Sequence, residues 1–211
     1  MRAFYDRYWG SAADAMPEHD PLTPRKVRDI EQLLRARPGS RVVDAGSGAG
    51  TLTLGYARAA GEVHALDVSE MAVARATRRA AEAGVSGVRF ERADLEERWP
   101  VADGWADLVV TSEVVEHVYD FPAYFDELAR VSRPGGLVYL TTPYHGLLKN
   151  LALAVSGFDK HFCSFESGHI RFFSDAHLRR LLVARGFASV RFHHLGRVAP
   201  LAMSTVAVAR R

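Results

Sequence analysis

The chain has 211 residues, 48% of them hydrophobic and 25% charged, an ordinary globular composition with enough apolar residues for a core without staples. Its formal net charge is +2, and the arginines are dispersed rather than gathered in one block, so no nucleic-acid footprint is expected. The single cysteine, Cys163, excludes an internal disulfide and fits a reducing cytoplasm.

Residues 1 to 40 precede the first strand signal and read as an N-terminal helical lid on a single domain spanning 1–211. Met1 to Trp9 lacks the apolar run of an export signal, so a cytoplasmic protein is expected. Phe4, Tyr5, Tyr8 and Trp9 form an aromatic cluster that either folds over a pocket or packs on the body. From Arg41 short apolar runs alternate with helical patterns. Strands are predicted at Arg41 to Asp44, Glu62 to Leu66, Val88 to Glu91, Asp107 to Thr111 and Leu137 to Thr141. Between them, helices are predicted over Thr51 to Ala60, Ser69 to Ala83 and Phe121 to Ser132, Ser69 serving as N-cap of the second and Gly84 as its stop. A helix from Asp175 to Arg185 and two strands, Ser189 to His193 and Thr205 to Ala209, complete the pattern. This alternation predicts a doubly wound α/β sheet, mostly parallel, with the last two strands as an antiparallel hairpin at its edge. Pro143 to Ile170 is longer than a connection requires and reads as an insertion covering a ligand. Its most apolar part, Leu147 to Val155, is too short to span a membrane and contains Lys149.

The most informative stretch is Val42-Val43-Asp44-Ala45-Gly46-Ser47-Gly48-Ala49-Gly50, a strand running into a turn with glycine at every second position. Such a turn lets a ligand press against bare backbone where the next helix begins. A dinucleotide fingerprint would want a small residue at position 51, where this chain has Thr51. Asp44 suits the cationic amino group of a methionine moiety better than a pyrophosphate. Asp67, followed by Val68, ends the second strand, where a carboxylate can accept both hydroxyls of a ribose. Asp94, followed by Leu95, comes after the third strand, within reach of an adenine amino group. Any one of these carboxylates is also an ordinary turn or cap residue. All three after successive strands, with the glycine turn, form a much stronger signal.

These residues resemble the class I S-adenosylmethionine-dependent methyltransferase family. Asp44 to Gly50, with Gly46, Ser47 and Gly48, is similar to its first motif, Asp67 to its ribose-binding acid, and Asp94-Leu95 to its adenine-contacting pair. Arg130 to Gly136 looks like the turn before its fifth strand. The resemblance spans about residues 25 to 211 and implies a Rossmann-like sheet with its last strand antiparallel and S-adenosyl-L-methionine as cofactor. Ser47 stands where many members have cysteine.

The fourth predicted strand leads into Thr111-Ser112-Glu113-Val114-Val115-Glu116-His117-Val118. In this family that strand end faces the methyl group, so Ser112 is expected at the cofactor. His117 is the candidate general base for a hydroxyl acceptor, or else a histidine packed beneath the cofactor. Glu-x-x-Glu-His with a distant histidine, here His169, also resembles ubiquinone-biosynthesis O-methyltransferases and small-RNA 2′-O-methyltransferases. That likeness implies Glu113, Glu116, His117 and His169 as ligands of a divalent metal ion, Mg, Mn or Zn. The competing picture has Glu113 or Glu116 bonding neighbouring backbone and His169 capping the next helix. His145, His161, Lys149, Lys160 and Arg171, interleaved with apolar residues, form either an amphipathic cap with a solvated face or a pocket for an aromatic or anionic acceptor.

The expected function is methyl transfer to an oxygen of a small-molecule biosynthetic intermediate, with nitrogen or carbon as other acceptor atoms. The rival readings are an RNA 2′-O-methyltransferase, which would gather Lys and Arg around its pocket, and a non-catalytic binder of the same cofactor.

Overall fold

The computed structural model describes residues 20–157, 170–198 and 201–211. The lid aromatics Phe4, Tyr5, Tyr8 and Trp9, and Cys163, His161, Lys160 and His169, lie outside the described residues.

Helix α1 spans Thr23–Arg35, opening on Pro24, whose missing N–H costs nothing in a first turn. Lys26, Ile30 and Leu34, four apart, form its buried stripe. Ile30 and Leu34 each contribute roughly 1.5–3 kcal/mol of burial, which makes α1 part of the body.

Strand β1 (Arg41–Ala45) feeds α2 (Thr51–Tyr56), which tightens into a 3-10 turn at Ala57–Ala59 rather than staying α-helical to Ala60. Strand β2 (Glu62–Asp67) is followed by α3 (Glu70–Glu82). Ser69 caps α3 by accepting from Ala72 N–H, as its sequence position predicts. Strand β3 (Val88–Arg92) and strand β4 (Ala106–Ser112) come next, then a 3-10 turn at Val115–His117. Helix α4 (Phe121–Val131) is capped by Asp120. Strand β5 (Ser132–Pro143) begins five residues before its predicted start, and Arg133 to Gly136, read as a turn, lies inside it. Ser132 pairs with Ala106 across an irregular register before regular pairing resumes at Leu137. The insertion holds α5 (Leu147–Ser156). Helix α6 (Asp175–Val183) and strands β6 (Ser189–Gly196) and β7 (Ala202–Arg210) follow.

The seven strands lie in the order β3-β2-β1-β4-β5-β7-β6, parallel except for β7, which runs antiparallel between β5 and β6. The doubly wound α/β fold and its edge hairpin are as the sequence predicts. Alternate residues of each strand feed two cores. On one face Val43, Val109, Val138 and Ala207 meet Phe125 and Leu128 of α4 and Leu178 and Leu182 of α6. On the other Val42, Ala65, Val110 and Tyr139 meet Ile30 and Leu34 of α1 and Tyr56 of α2. Strand order reverses between β1 and β4, so a crevice opens outside their carboxyl ends. Among the described residues no helix is long and apolar enough to cross a membrane.

Candidate active site

The crevice is built from the loop after β1, the ends of β2 and β3, and the turn after β4. In the first loop Gly46, Gly48 and Gly50 all have positive φ, +88°, +53° and +79°, which L side chains rarely adopt. At Gly46 a second constraint applies: a Cβ there would sit 2.3 Å from Val114 Cγ2. Gly46 N–H and Ser47 N–H both donate to Leu66 C=O, at 2.8 and 2.9 Å. Gly48 N–H donates to Asp67 Oδ2 at 2.8 Å, and Asp67 Oδ1 accepts from Ser69 N–H at 2.9 Å. Asp67 therefore clasps the glycine loop to the head of α3. Val68 beside it is half-buried. Ser47 Oγ is buried without a hydrogen-bond partner among the described residues.

Asp44 lies beneath this loop. It is 1% exposed, and its Oδ2 accepts from Tyr56 Oη at 2.6 Å and Thr53 Oγ1 at 2.7 Å. Burial pushes its carboxyl up to about 6, against the two hydroxyl donors and with the nearby Asp67 charge adding to the rise. After β3, Asp94 Oδ1 accepts from Glu96 N–H at 3.0 Å, forming a turn, while Leu95 is buried.

The β4 turn is the most constrained part of the site. Glu113 has φ +55°, the one non-glycine positive φ among the described residues. Its Oε1 accepts from Lys26 Nζ at 3.0 Å and from Thr141 Oγ1 and Ser204 Oγ at 2.8 Å each. Lys26 Nζ also donates to Ser112 Oγ at 3.0 Å and pairs with Asp20 at 2.9 Å. Burial alone would lower the Lys26 pKa, but the Glu113 and Asp20 carboxylates outweigh it and the net shift is upward.

Glu116 is 1% exposed. Its Oε2 accepts from Thr142 Oγ1 at 3.0 Å, its other oxygen has no hydrogen-bond partner among the described residues, and its carbonyl accepts from Ile170 N–H at 3.0 Å. Burial, then the Glu113 charge, raises its pKa. His117 is half-buried, and its backbone N–H closes the turn on Val114 C=O at 2.9 Å.

Glu113 and Glu116 thus reach different partners rather than one shared centre. Among the described residues no group of three or more His, Cys, Asp or Glu is placed to hold a metal ion. A divalent ion fits poorly on a carboxylate oxygen already 3.0 Å from an ammonium.

Lys149 and Arg171, read either as part of a solvated cap face or as lining an acceptor pocket, are both fastened to backbone. Lys149 Nζ donates to Tyr144 and Ala202 C=O, and Arg171 donates to Val118 and Tyr119 C=O. Leu147, Leu148, Leu151 and Val155 of α5 stand exposed.

The methyltransferase-domain family model matches residues 19–191 of the chain. The chain belongs to this family. The class I methyltransferase likeness read from the glycine loop and its carboxylates is therefore a true kinship. Among relatives of this methyltransferase-domain protein, the ubiquinone biosynthesis O-methyltransferase of Ralstonia nicotianae is 34% identical over 151 residues, 72% of this chain and 62% of that protein. The protein of the same name from Bordetella avium is 30% identical over 136 residues, 64% of this chain and 56% of that protein. The chain thus spans less than two thirds of the length of these relatives. In structure, it is similar to the magnesium protoporphyrin IX methyltransferase of Synechocystis PCC 6803 with bound SAH. The TM-score is 0.74 at 22% identity, with 99% of this chain and 94% of the other covered.

Proposed function

We propose that this protein transfers a methyl group from S-adenosyl-L-methionine to an oxygen of a small aromatic or anionic molecule. The observation that carries the reading is the Asp67 clasp on Gly48, the middle one of three glycines with positive φ at the switch point of the sheet. That loop offers bare backbone, and Ser47 Oγ within it, buried without a hydrogen-bond partner among the described residues, is a polar group that a ligand atom can satisfy. The residues fit the cofactor. Gly46, Ser47 and Gly48 would border its amino-acid end, Asp67 and Val68 would hold its ribose, Asp94 and Leu95 its adenine, and Ser112 would stand at its reacting end. Asp44, already engaged by Tyr56 and Thr53, supports the loop from below.

When bound, the cofactor supplies an electrophilic methyl on a sulfonium. The chain's part is to align an acceptor oxygen in line with that methyl and to take up its proton. His117 is the base we assign: it lies on the 3-10 turn that follows β4, five residues after Ser112, it is half-buried as a residue, and an imidazole titrates near working pH. The names of the curated relatives favour oxygen as the acceptor atom. The exposed leucines of α5 supply an apolar approach for such an acceptor. The arginines are dispersed along the sequence rather than gathered in one block, which favours a small molecule over a nucleic acid.

The test is His117→Ala with a phenolic acceptor. Turnover should fall by about 100-fold or more while cofactor affinity, measured by calorimetry, holds. Near-normal turnover across pH would reduce His117 to a packing residue.

A further inference from the structure

Lys26 is the functional residue that the catalytic reading leaves unused. It is 1% exposed, although a lysine is almost never fully buried without a partner. Among the described residues its ammonium bonds three oxygens, Ser112 Oγ, Glu113 Oε1 and Asp20 Oδ2, at 3.0, 3.0 and 2.9 Å. That is the donor set a hard cation would choose. The same Glu113 oxygen takes two further hydroxyl bonds, from Thr141 and Ser204, so three elements, α1, β5 and β7, converge on one atom.

The geometry downstream gives the contact a purpose. Glu113 holds a left-handed backbone that a non-glycine residue adopts only when its surroundings over-determine it. The next residue, Val114, presses its side chain on the bare Cα of Gly46 in the cofactor loop. A change in the turn at Glu113 therefore moves the wall of that loop.

We propose that Lys26 is the resident cation of this site, standing in the electrostatic place of a divalent ion and holding, through Glu113, the turn that walls the cofactor loop. Lys26 is thus a positioning residue, and the Glu-x-x-Glu-His run of this chain works without a metal. The proposal rests on the cofactor reading above, so binding of S-adenosylmethionine by the wild-type chain is the control that separates the two. If the wild type does not bind it, the cofactor reading fails, and the Lys26 pair is then judged by melting temperature in the same variants.

The experiment compares the full chain with Lys26→Met, Glu113→Gln and the double variant, by calorimetric titration with S-adenosylmethionine well below the melting temperature. Lys26→Met leaves the Glu113 carboxylate uncompensated and should weaken binding by about tenfold or more, the effect of losing a charged hydrogen bond. The double variant, with neither charge left and an amide still able to accept from Thr141 and Ser204, should recover most of that loss. Exhaustive chelation of the wild type should change neither affinity nor melting, and elemental analysis should find no bound metal. Unchanged binding in Lys26→Met, a double variant no better than the single, or chelation losses restored by Mg, Mn or Zn would each overturn the proposal. If Lys26→Met does not fold, recovery of folding and binding in the double variant supports it, and failure of both overturns it.

Discussion

Asp67 is a charged acceptor at the centre of the cofactor loop. Its two oxygens take backbone N–H groups from Gly48 and from Ser69, and we place its carboxylate at the ribose hydroxyls of the bound cofactor. Asp67→Ala should therefore weaken binding of S-adenosylmethionine by roughly 2–4 kcal/mol through lost charged hydrogen bonds. Calorimetry showing wild-type affinity would remove Asp67 from the site. The place of Asp67 at the end of the second strand was legible in the sequence, whereas its bond to Gly48, 19 residues away, is supplied by the fold. Lys26 was missed because the apolar stripe of its helix was not traced. Positions 26, 30 and 34 share one face with Ile30 and Leu34, and a lysine on that face needs a buried counter-charge. The identity of that counter-charge, Glu113, is 87 residues away and only the tertiary fold supplies it. Glu113 and Glu116 looked alike in sequence for the same reason, since spacing does not report that a positive φ turns one toward Lys26 and the other toward Thr142.

Among the elements, α1 departs most from its expectation. A lid that opens would add little to the stability of the body, whereas Ile30 and Leu34 sit in the same core as Val42, Tyr56 and Tyr139. Ile30→Ala should destabilise the whole domain by about 2–5 kcal/mol in urea unfolding, with a single transition. A separate early transition, or none of the loss, would restore α1 to the status of a detachable cover. Strands β1, β2 and β4 were legible because strands buried on both faces read as continuous apolar runs. The start of β5 was not, since Pro134-Gly135-Gly136 carries turn chemistry while Arg133 is tied to Asp107 and Ser132 reaches back to Leu128 C=O. Helix α5 was folded into the insertion without being recognised, because none of its residues is buried and its apolar positions face outward.

At the scale of the whole molecule, Asp44 links stability to pH. Its folded pKa of about 6 lies above the ordinary 3.8, so the folded state holds this proton more tightly than the unfolded chain does. Its contribution is therefore complete below about pH 4 and is lost as pH rises through about 6. Two pKa units correspond to roughly 3 kcal/mol. Asp44→Asn keeps an acceptor for Tyr56 and Thr53 and abolishes the titration. Relative to the wild type, it should gain about 2–3 kcal/mol of unfolding free energy between about pH 4 and pH 7.5. A difference that stays flat over that range would show that Asp44 ionises freely in the folded protein.

The position of β7 has a consequence for how the chain is made. Residues 202–210 come after the other six strands of the sheet in chain order, yet they lie inside it, between β5 and β6. Before they leave the ribosome, β5 has an open edge along Leu137 to Pro143, and β6 has no neighbouring strand at all. The nascent protein therefore carries two unsatisfied strand edges while its first half is already able to compact, a period in which it is exposed to aggregation. Arg211 then closes the seam, exchanging backbone hydrogen bonds with Gly135 and Gly136 at 2.7 and 2.9 Å. The inner edge of β5 and the whole of β6 thus wait, during translation, on residues 202–210.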